Sequence, residues 1–297
     1  MRVIKAIITN LIAWVSPSFY VRWTGETGRG REKESIESVA QYFCNCFYEY
    51  FEKLGVDKEE ISHYLESKKL LEYGPGDIPG VALMMYAYGA EKVICIDRFP
   101  LVTLSEKNIK IMTTVIEGLP DKFKNRANNA FNEPGVISSG FKSKYLEYVV
   151  EKKNGTADIE EQFELIYSRA VLEHVNDLDL TFKNMNQLLA MDGSIIHQVD
   201  FKSHGLHSSN PLDFHVLNKT LWWLMYSNKG VPNRWRINYY RELLSKCKFT
   251  IRLIEATGTY ENKIVKDIRE KLASPFRVLS DEDLSWQGAW IIATKDI

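Results

Sequence analysis

Two short segments constrain this chain more than any other feature: Leu70-Leu71-Glu72-Tyr73-Gly74-Pro75-Gly76-Asp77, and then Val93-Ile94-Cys95-Ile96-Asp97. They read as strand, glycine turn, helix, strand and acid, because Val81 to Tyr88 between them is a helix-compatible apolar run and Gly89 stands where a helix stop is expected. The unit is a βαβ. At the carboxyl end of such strands the glycines let the backbone approach a ligand closely, and the second acid meets a ribose. Glu72 separates the cofactor classes, since a carboxylate beside the turn repels a pyrophosphate and suits a cationic amino group.

An amino group, a sulfonium and a ribose diol without phosphate describe S-adenosylmethionine, and Glu72 with Asp97 meets those needs. The stretch Glu72-Tyr73-Gly74-Pro75-Gly76 resembles the first motif of class I S-adenosylmethionine-dependent methyltransferases, and Asp97 matches that family's acidic second-strand end. Phe163 to Val175 resembles the family's fourth strand and following helix, and Leu188 to Ile196 the turn into its fifth strand. The resemblance covers residues 66–297 and implies an α/β fold: a doubly wound, seven-stranded Rossmann-like sheet with a reversed last strand. It implies S-adenosylmethionine as cofactor and S-adenosylhomocysteine as product. On it, Glu72, Gly74, Pro75, Gly76, Asp97 and Arg98 line the cofactor, Ala157 and Asp158 take the adenine edge, and Ser168 and Arg169 border the methyl donor.

Residues 1–65 lie outside the resemblance and read as an N-terminal helical cap. Val3 to Val15 is apolar with a positive start, but the run ends at Ser16-Pro17, short of the ~20 residues a membrane span needs. It is expected to pack, to close over substrate, or to touch a membrane surface peripherally. Trp23 to Arg31 reads as a flexible linker. Ile36, Val39, Phe43, Phe47, Tyr50, Phe51 and Leu54 recur at helical spacing within Glu32 to Leu54, an aromatic stripe expected in the core, and a second short helix is expected over 57–68. Residues 117–144 show little periodicity and read as an insertion. Strands are expected over Tyr145 to Val150, Phe249 to Glu255 and Ala289 to Thr294.

Charge limits the acceptor. With 38 basic and 39 acidic residues the net charge is -1, so the chain has no global electrostatic footprint for nucleic acid, and a nucleic-acid acceptor is not expected. Four cysteines suit a reducing cytoplasm. Three residues are candidates for handling an acceptor proton: His174 after the fourth strand, and Asp200 with His204 in the loop after the fifth. The same region, rich in His and Asp from His197 to His215, reads alternatively as a divalent-metal site or as a structural hydrogen-bonding loop; its spacing matches no specific metal signature, and no metal is assigned. His197 to His204 and Asn233 to Tyr240 resemble methyltransferases found with bacterial surface-polysaccharide synthesis, which implies a sugar or other small-molecule hydroxyl as acceptor. Trp222, Trp223, Tyr226 and Trp235 suit an acceptor wall or ordinary core packing. A natural-product or lipid-linked acceptor, a dehydrogenase, and a non-enzymatic S-adenosylmethionine-binding protein are the alternatives; oligomeric state is not readable.

Overall fold

Leu70 and Leu71 are fully buried because strand β1 (Lys69–Tyr73) lies inside a sheet and not at its edge. β1 pairs in parallel with β2 (Lys92–Asp97), Glu72 opposite Cys95. In this computed structural model residues 2–16, 19–20, 23, 34–151 and 159–296 are described. The short β3 (Phe131–Glu133) and β4 (Val136–Phe141) form a separate pair, while β5 (Leu146–Val150), β6 (Phe163–Arg169), β7 (Leu189–Asp200), β8 (Phe249–Thr259) and β9 (Trp286–Lys295) join the main sheet. Its seven strands run in the order β5-β2-β1-β6-β7-β9-β8. β2 and β5 are parallel, whereas β9 is the reversed strand and pairs antiparallel with β8. This is the doubly wound sheet with a reversed last strand that the sequence implied.

The chain divides into two compact units, Glu26–Tyr167 with Leu188–Ser194, and Met1–Gly25 with Ser168–Gln187 and Ile195–Ile297. In the first, helices α1 (Arg2–Val15) aside, α2 (Ile36–Leu54) begins where the Ser35 hydroxyl accepts from the Ser38 amide and stops at Gly55. Its stripe of Val39, Phe43, Phe47, Tyr50 and Phe51 is buried, Phe47 against Tyr88 and Tyr50 against Tyr167. The aromatic stripe is therefore core. The short α3 (Ile61–Leu65) precedes β1. α4 (Gly80–Tyr88) is buried at every residue, and a Cβ on Gly80 would stand 2.5 Å from Cγ of Phe43. α5 (Glu106–Glu117) follows β2. Residues 117–144, which showed little periodicity, form α6 (Asp121–Asn128) and the β3-β4 hairpin; α6 is nearly all polar and buries only Phe123 and Ala127, too few contacts to leave an apolar rhythm.

In the second unit, the predicted helix carrying Glu173 and His174 is instead a single 3-10 turn, Leu172–His174, and α7 starts only at Leu178. β8 and β9 are longer than expected, and β7 begins at Leu189, so the Asp192-Gly193 pair lies within the strand where a turn was expected. α8 (Lys219–Tyr226) and α9 (Ile237–Lys246) complete the unit, with α10 (Asn262–Ile268) and α11 (Asp281–Ser285) around a small core of Leu212, Val265, Leu272 and Leu284. Arg236 is fully buried, donating to the carbonyls of Phe201, Asp283, Leu284 and Trp286; with no carboxylate bonded to it, burial lowers its pKa to about 10. It fixes the loop after β7 to the start of β9. Four free thiols, Cys44, Cys46, Cys95 and Cys247, are present, and no described helix is long and apolar enough to cross a membrane.

Gly80→Val should force the Phe43 ring aside and lower stability by about 1–3 kcal/mol, the usual cost of overpacking. Thermal unfolding of the variant is the check, and Phe43→Ala, which removes the Cγ, Cδ1 and Cδ2 atoms that a Gly80 Cβ would meet, should cost less stability in the Gly80→Val background than in wild type.

Candidate active site

Gly74 and Gly76 both take left-handed backbone angles, φ 66° and 74°, which side chains with a Cβ rarely adopt. The Gly74 amide donates to Ile96 O at 2.8 Å, so the turn is tied to β2. Asp77 is buried behind it, and desolvation lifts its carboxyl to about 6. Asn108, on α5, donates to Asp77 O at 3.3 Å and to Thr103 O at 3.1 Å, fastening the segment after β2 to the turn. Sequence reasoning missed Asn108, whose only signal is one amide on the apolar side of an amphipathic helix.

Glu72 ends in a dry site. Its Oε2 accepts from the Cys95 thiol at 3.5 Å and the Tyr167 hydroxyl at 3.3 Å, and the Ala82 amide also supports it. Burial nevertheless outweighs these donors and pushes its pKa up to about 7. A buried carboxylate near neutrality without a cation is what an ammonium ligand would complete. Asp97 is half-buried; desolvation raises it to about 6 against the opposing amides of Phe99, Arg98 and Gly76, the first at 3.1 Å. Arg98 lies over the Phe99 ring at 5.2 Å. The turn, Glu72 and Asp97 therefore lie in one unit, two left-handed glycines beside two carboxyl groups that burial raises toward neutrality. Ala157 and Asp158, the expected adenine contacts, lie outside the described residues.

In the other unit, Ser168 is fully buried and its hydroxyl is 2.7 Å from Nδ1 of His197, a core histidine whose pKa burial lowers to about 3. Arg169 lies over Trp290 at 5.5 Å. Ala170 next turns left-handed, φ 53°, its amide on Gln198 O at 2.9 Å, and delivers the chain to the Leu172–His174 turn. Asn233 clasps that turn, donating to Leu172 O at 2.8 Å and Val175 O at 2.9 Å.

The three proton-handling candidates come together here. Nε2 of His204 is 3.5 Å from Oδ2 of Asp200, and the His174 and His204 rings meet edge to face at 5.0 Å. His204 takes a left-handed conformation, φ 49°, a strained position for a residue with a Cβ. Burial pulls the Asp200 carboxyl up, but His204 and Lys202 hold it below its ordinary value. His174 is lowered to about 4, by burial first and then by His204, so it is neutral at pH 7. Glu173 was not singled out in the sequence. It is buried with neither carboxylate oxygen in a well-formed hydrogen bond; desolvation raises its pKa well above normal although the Glu173 and Asp200 amides face it. Glu173, His174 and His204 each offer a ligand atom within 4.8 Å of the others, so they could hold a metal ion. His207 pairs instead with Ser203, Asp213 caps the Ser208 amide at 2.8 Å, and His215 is a core residue. Trp222 packs on Tyr226 and Arg234, and Trp235 on Tyr239.

A doubly wound sheet with a glycine turn, a buried carboxylate at the first strand's end and an acid at the second's is the arrangement of a nucleoside-cofactor fold. The model of a methyltransferase-domain family matches residues 49–253, more than half of the chain, and the protein belongs to that family. It is an S-adenosylmethionine-dependent methyltransferase. No curated protein matches the chain significantly. Among solved structures, an S-adenosylmethionine-dependent methyltransferase from Mesorhizobium loti is 16% identical, covering 78% of this chain and 92% of its own at TM-score 0.45. A ribosomal protein L11 methylase from Lactobacillus delbrueckii subsp. bulgaricus is 12% identical over 80% and 78%, TM-score 0.37. A Haemonchus contortus phosphoethanolamine N-methyltransferase 2, in complex with phosphomonomethylethanolamine and S-adenosylhomocysteine, is 15% identical over 78% and 50%, TM-score 0.43.

Because the folded-state pKa of Glu72 is raised above its unfolded value of 4.5 to about 7, it favours the free protein fully below pH 4.5, a contribution lost as pH rises through 7. Glu72→Gln should therefore melt higher than wild type at pH 8, by a few degrees, while losing S-adenosylmethionine binding. Scanning calorimetry from pH 5 to 8 reads both signs.

Proposed function

We propose that the protein transfers a methyl group to a hydroxyl of a sugar or other small-molecule acceptor, with His204 as general base oriented by Asp200. The observation that carries this reading is the His204–Asp200 pair, 3.5 Å apart, beside a neutral His174. Asp200 engages Nε2, which leaves Nδ1 of the exposed His204 to take the acceptor proton as oxygen attacks. His174, held at about 4, is too weak a base for that step and serves to pack and polarise the ring of His204. Asn233 and Glu173 position the turn from which His174 projects.

When bound, S-adenosylmethionine supplies a methyl on a sulfonium that needs little activation. Glu72 holds its amino group, Gly74, Pro75 and Gly76 admit it, and Asp97 takes the ribose diol with Arg98 alongside; for Ser168 and Arg169 at the methyl donor and Ala157 and Asp158 at the adenine, the support is the family resemblance of the sequence. Alignment of donor and nucleophile then supplies much of the rate. The sugar acceptor is supported by the resemblance of His197 to His204 and Asn233 to Tyr240; a natural-product or lipid-linked hydroxyl would use the same proton chemistry. Helices α1 to α3 are read as the N-terminal cap of residues 1–65, ahead of a methyltransferase domain over 66–297. Four free thiols favour a cytoplasmic setting.

Titration calorimetry should show S-adenosylmethionine and S-adenosylhomocysteine binding that Glu72→Ala and Asp97→Ala each weaken by about tenfold or more, the scale of a lost charged contact. In an acceptor screen led by sugars, His204→Ala and Asp200→Asn should lower kcat by about 10²–10⁴ with cofactor affinity unchanged. Turnover that survives EDTA keeps His204 as the base, whereas loss restored by Mg²⁺ or Mn²⁺ would give Glu173, His174 and His204 to a metal instead.

A further inference from the structure

Helix α1 is fastened by one face. Ala6, Asn10 and Ala13 are buried, and Asn10 donates to Leu224 O at 3.0 Å and Ser227 Oγ at 3.1 Å while its Oδ1 accepts from the Asn228 amide at 2.8 Å. A surface helix fixed in this way ordinarily turns charge to water on its other side. α1 turns Ile4, Ile8, Leu11 and Val15 outward, 65%, 53%, 53% and 76% exposed, at spacings of four, three and four that make one stripe. Trp14 is exposed beside it, as are Trp223 and Leu224 on the α8 segment that holds Asn10. Contiguous apolar surface of this kind marks a face that something covers.

The length of α1 excludes a span: 14 residues reach ~21 Å, against the ~30 Å of a bilayer's hydrocarbon. Charge distinguishes the remaining occupants. The chain as a whole balances 38 basic against 39 acidic residues, yet neither 2–23 nor 214–241 contains an Asp or a Glu. Among the described side chains of α1 and α8, the exposed cations are Lys5 and Lys219, and the exposed aromatics are tryptophans. Interfaces between protein copies are depleted in lysine, whereas an anionic lipid surface attracts it and concentrates tryptophan at the headgroups.

We propose that the outward face of α1, with Trp223 and Leu224 of α8, is a docking surface for anionic phospholipid membranes. α1 lies in the plane of the headgroups, Ile4, Ile8, Leu11 and Val15 dip toward the acyl chains, and Lys5 and Lys219 meet lipid phosphate. The inference uses only these two helices and stands whether or not the acceptor is a sugar.

The test is co-sedimentation of the full chain with phosphatidylglycerol-containing and with pure phosphatidylcholine vesicles, alongside quenching of tryptophan fluorescence by bromolipid. Wild type should sediment with the anionic vesicles and be quenched, with partitioning that falls several-fold between about 0.1 and about 0.5 M salt. I8E/L11E should lose about tenfold or more and K5E several-fold, while V278E, at an exposed valine outside both helices, should behave as wild type. Circular dichroism and S-adenosylmethionine binding report whether each variant is folded. Wild type that stays in the supernatant with both vesicles overturns the proposal. So does a dimer in light scattering that I8E/L11E dissolves without any effect of lipid, because the face would then join two copies of the chain.

Discussion

A carboxylate kept dry at the end of a parallel strand governs how the cofactor side of this protein is built. Glu72 is enclosed by Cys95 from β2, Tyr167 from β6 and the Ala82 amide from α4, so three elements must close around β1 before the group has its environment. Desolvation dominates, and its donors only partly oppose it. A protein selected for stability alone would fill that place with a hydrocarbon. The aromatic packing of Tyr50 on Tyr167 and Phe47 on Tyr88 extends the enclosure into α2, which links the stripe of one helix to the chemistry of another strand.

The cluster of Glu173, His174, Asp200 and His204 obeys a different constraint. It is assembled by backbone strain and clasps: left-handed Ala170 and His204 turn the chain sharply, and Asn233 holds the turn between Leu172 and Val175. Arg236 fixes the loop that carries Asp200 and His204 through four carbonyls, a bonding pattern that positions backbone and leaves the nearby carboxylates to other partners. The resulting group has one oriented histidine, one histidine too acidic to act as a base, and one buried acid.

The βαβ unit, the acids Glu72 and Asp97 and the order of the later strands were legible because each rests on a local signal: an apolar run, a glycine turn, a terminal acid. α2 was legible through its spacing. The helix expected at Glu173 was not, since Leu172 and Val175 satisfy a helical pattern while the left-handed Ala170 before them and Asn233 far along the chain impose a 3-10 turn. α6 and the β3-β4 hairpin escaped because elements that bury few side chains leave little periodicity.

By itself, then, the sequence determined the fold class and the cofactor class, and placed Glu72 and Asp97 at the ends of neighbouring strands, all properties carried by neighbours in the chain. Only the tertiary structure decided that His204 lies against Asp200, that Glu173 is buried beside them, and that α1 turns its apolar stripe to solvent. Those depend on burial and on contacts between residues far apart in sequence, such as Asn10 with Leu224 or Asn233 with Leu172, and no local pattern encodes where such partners meet.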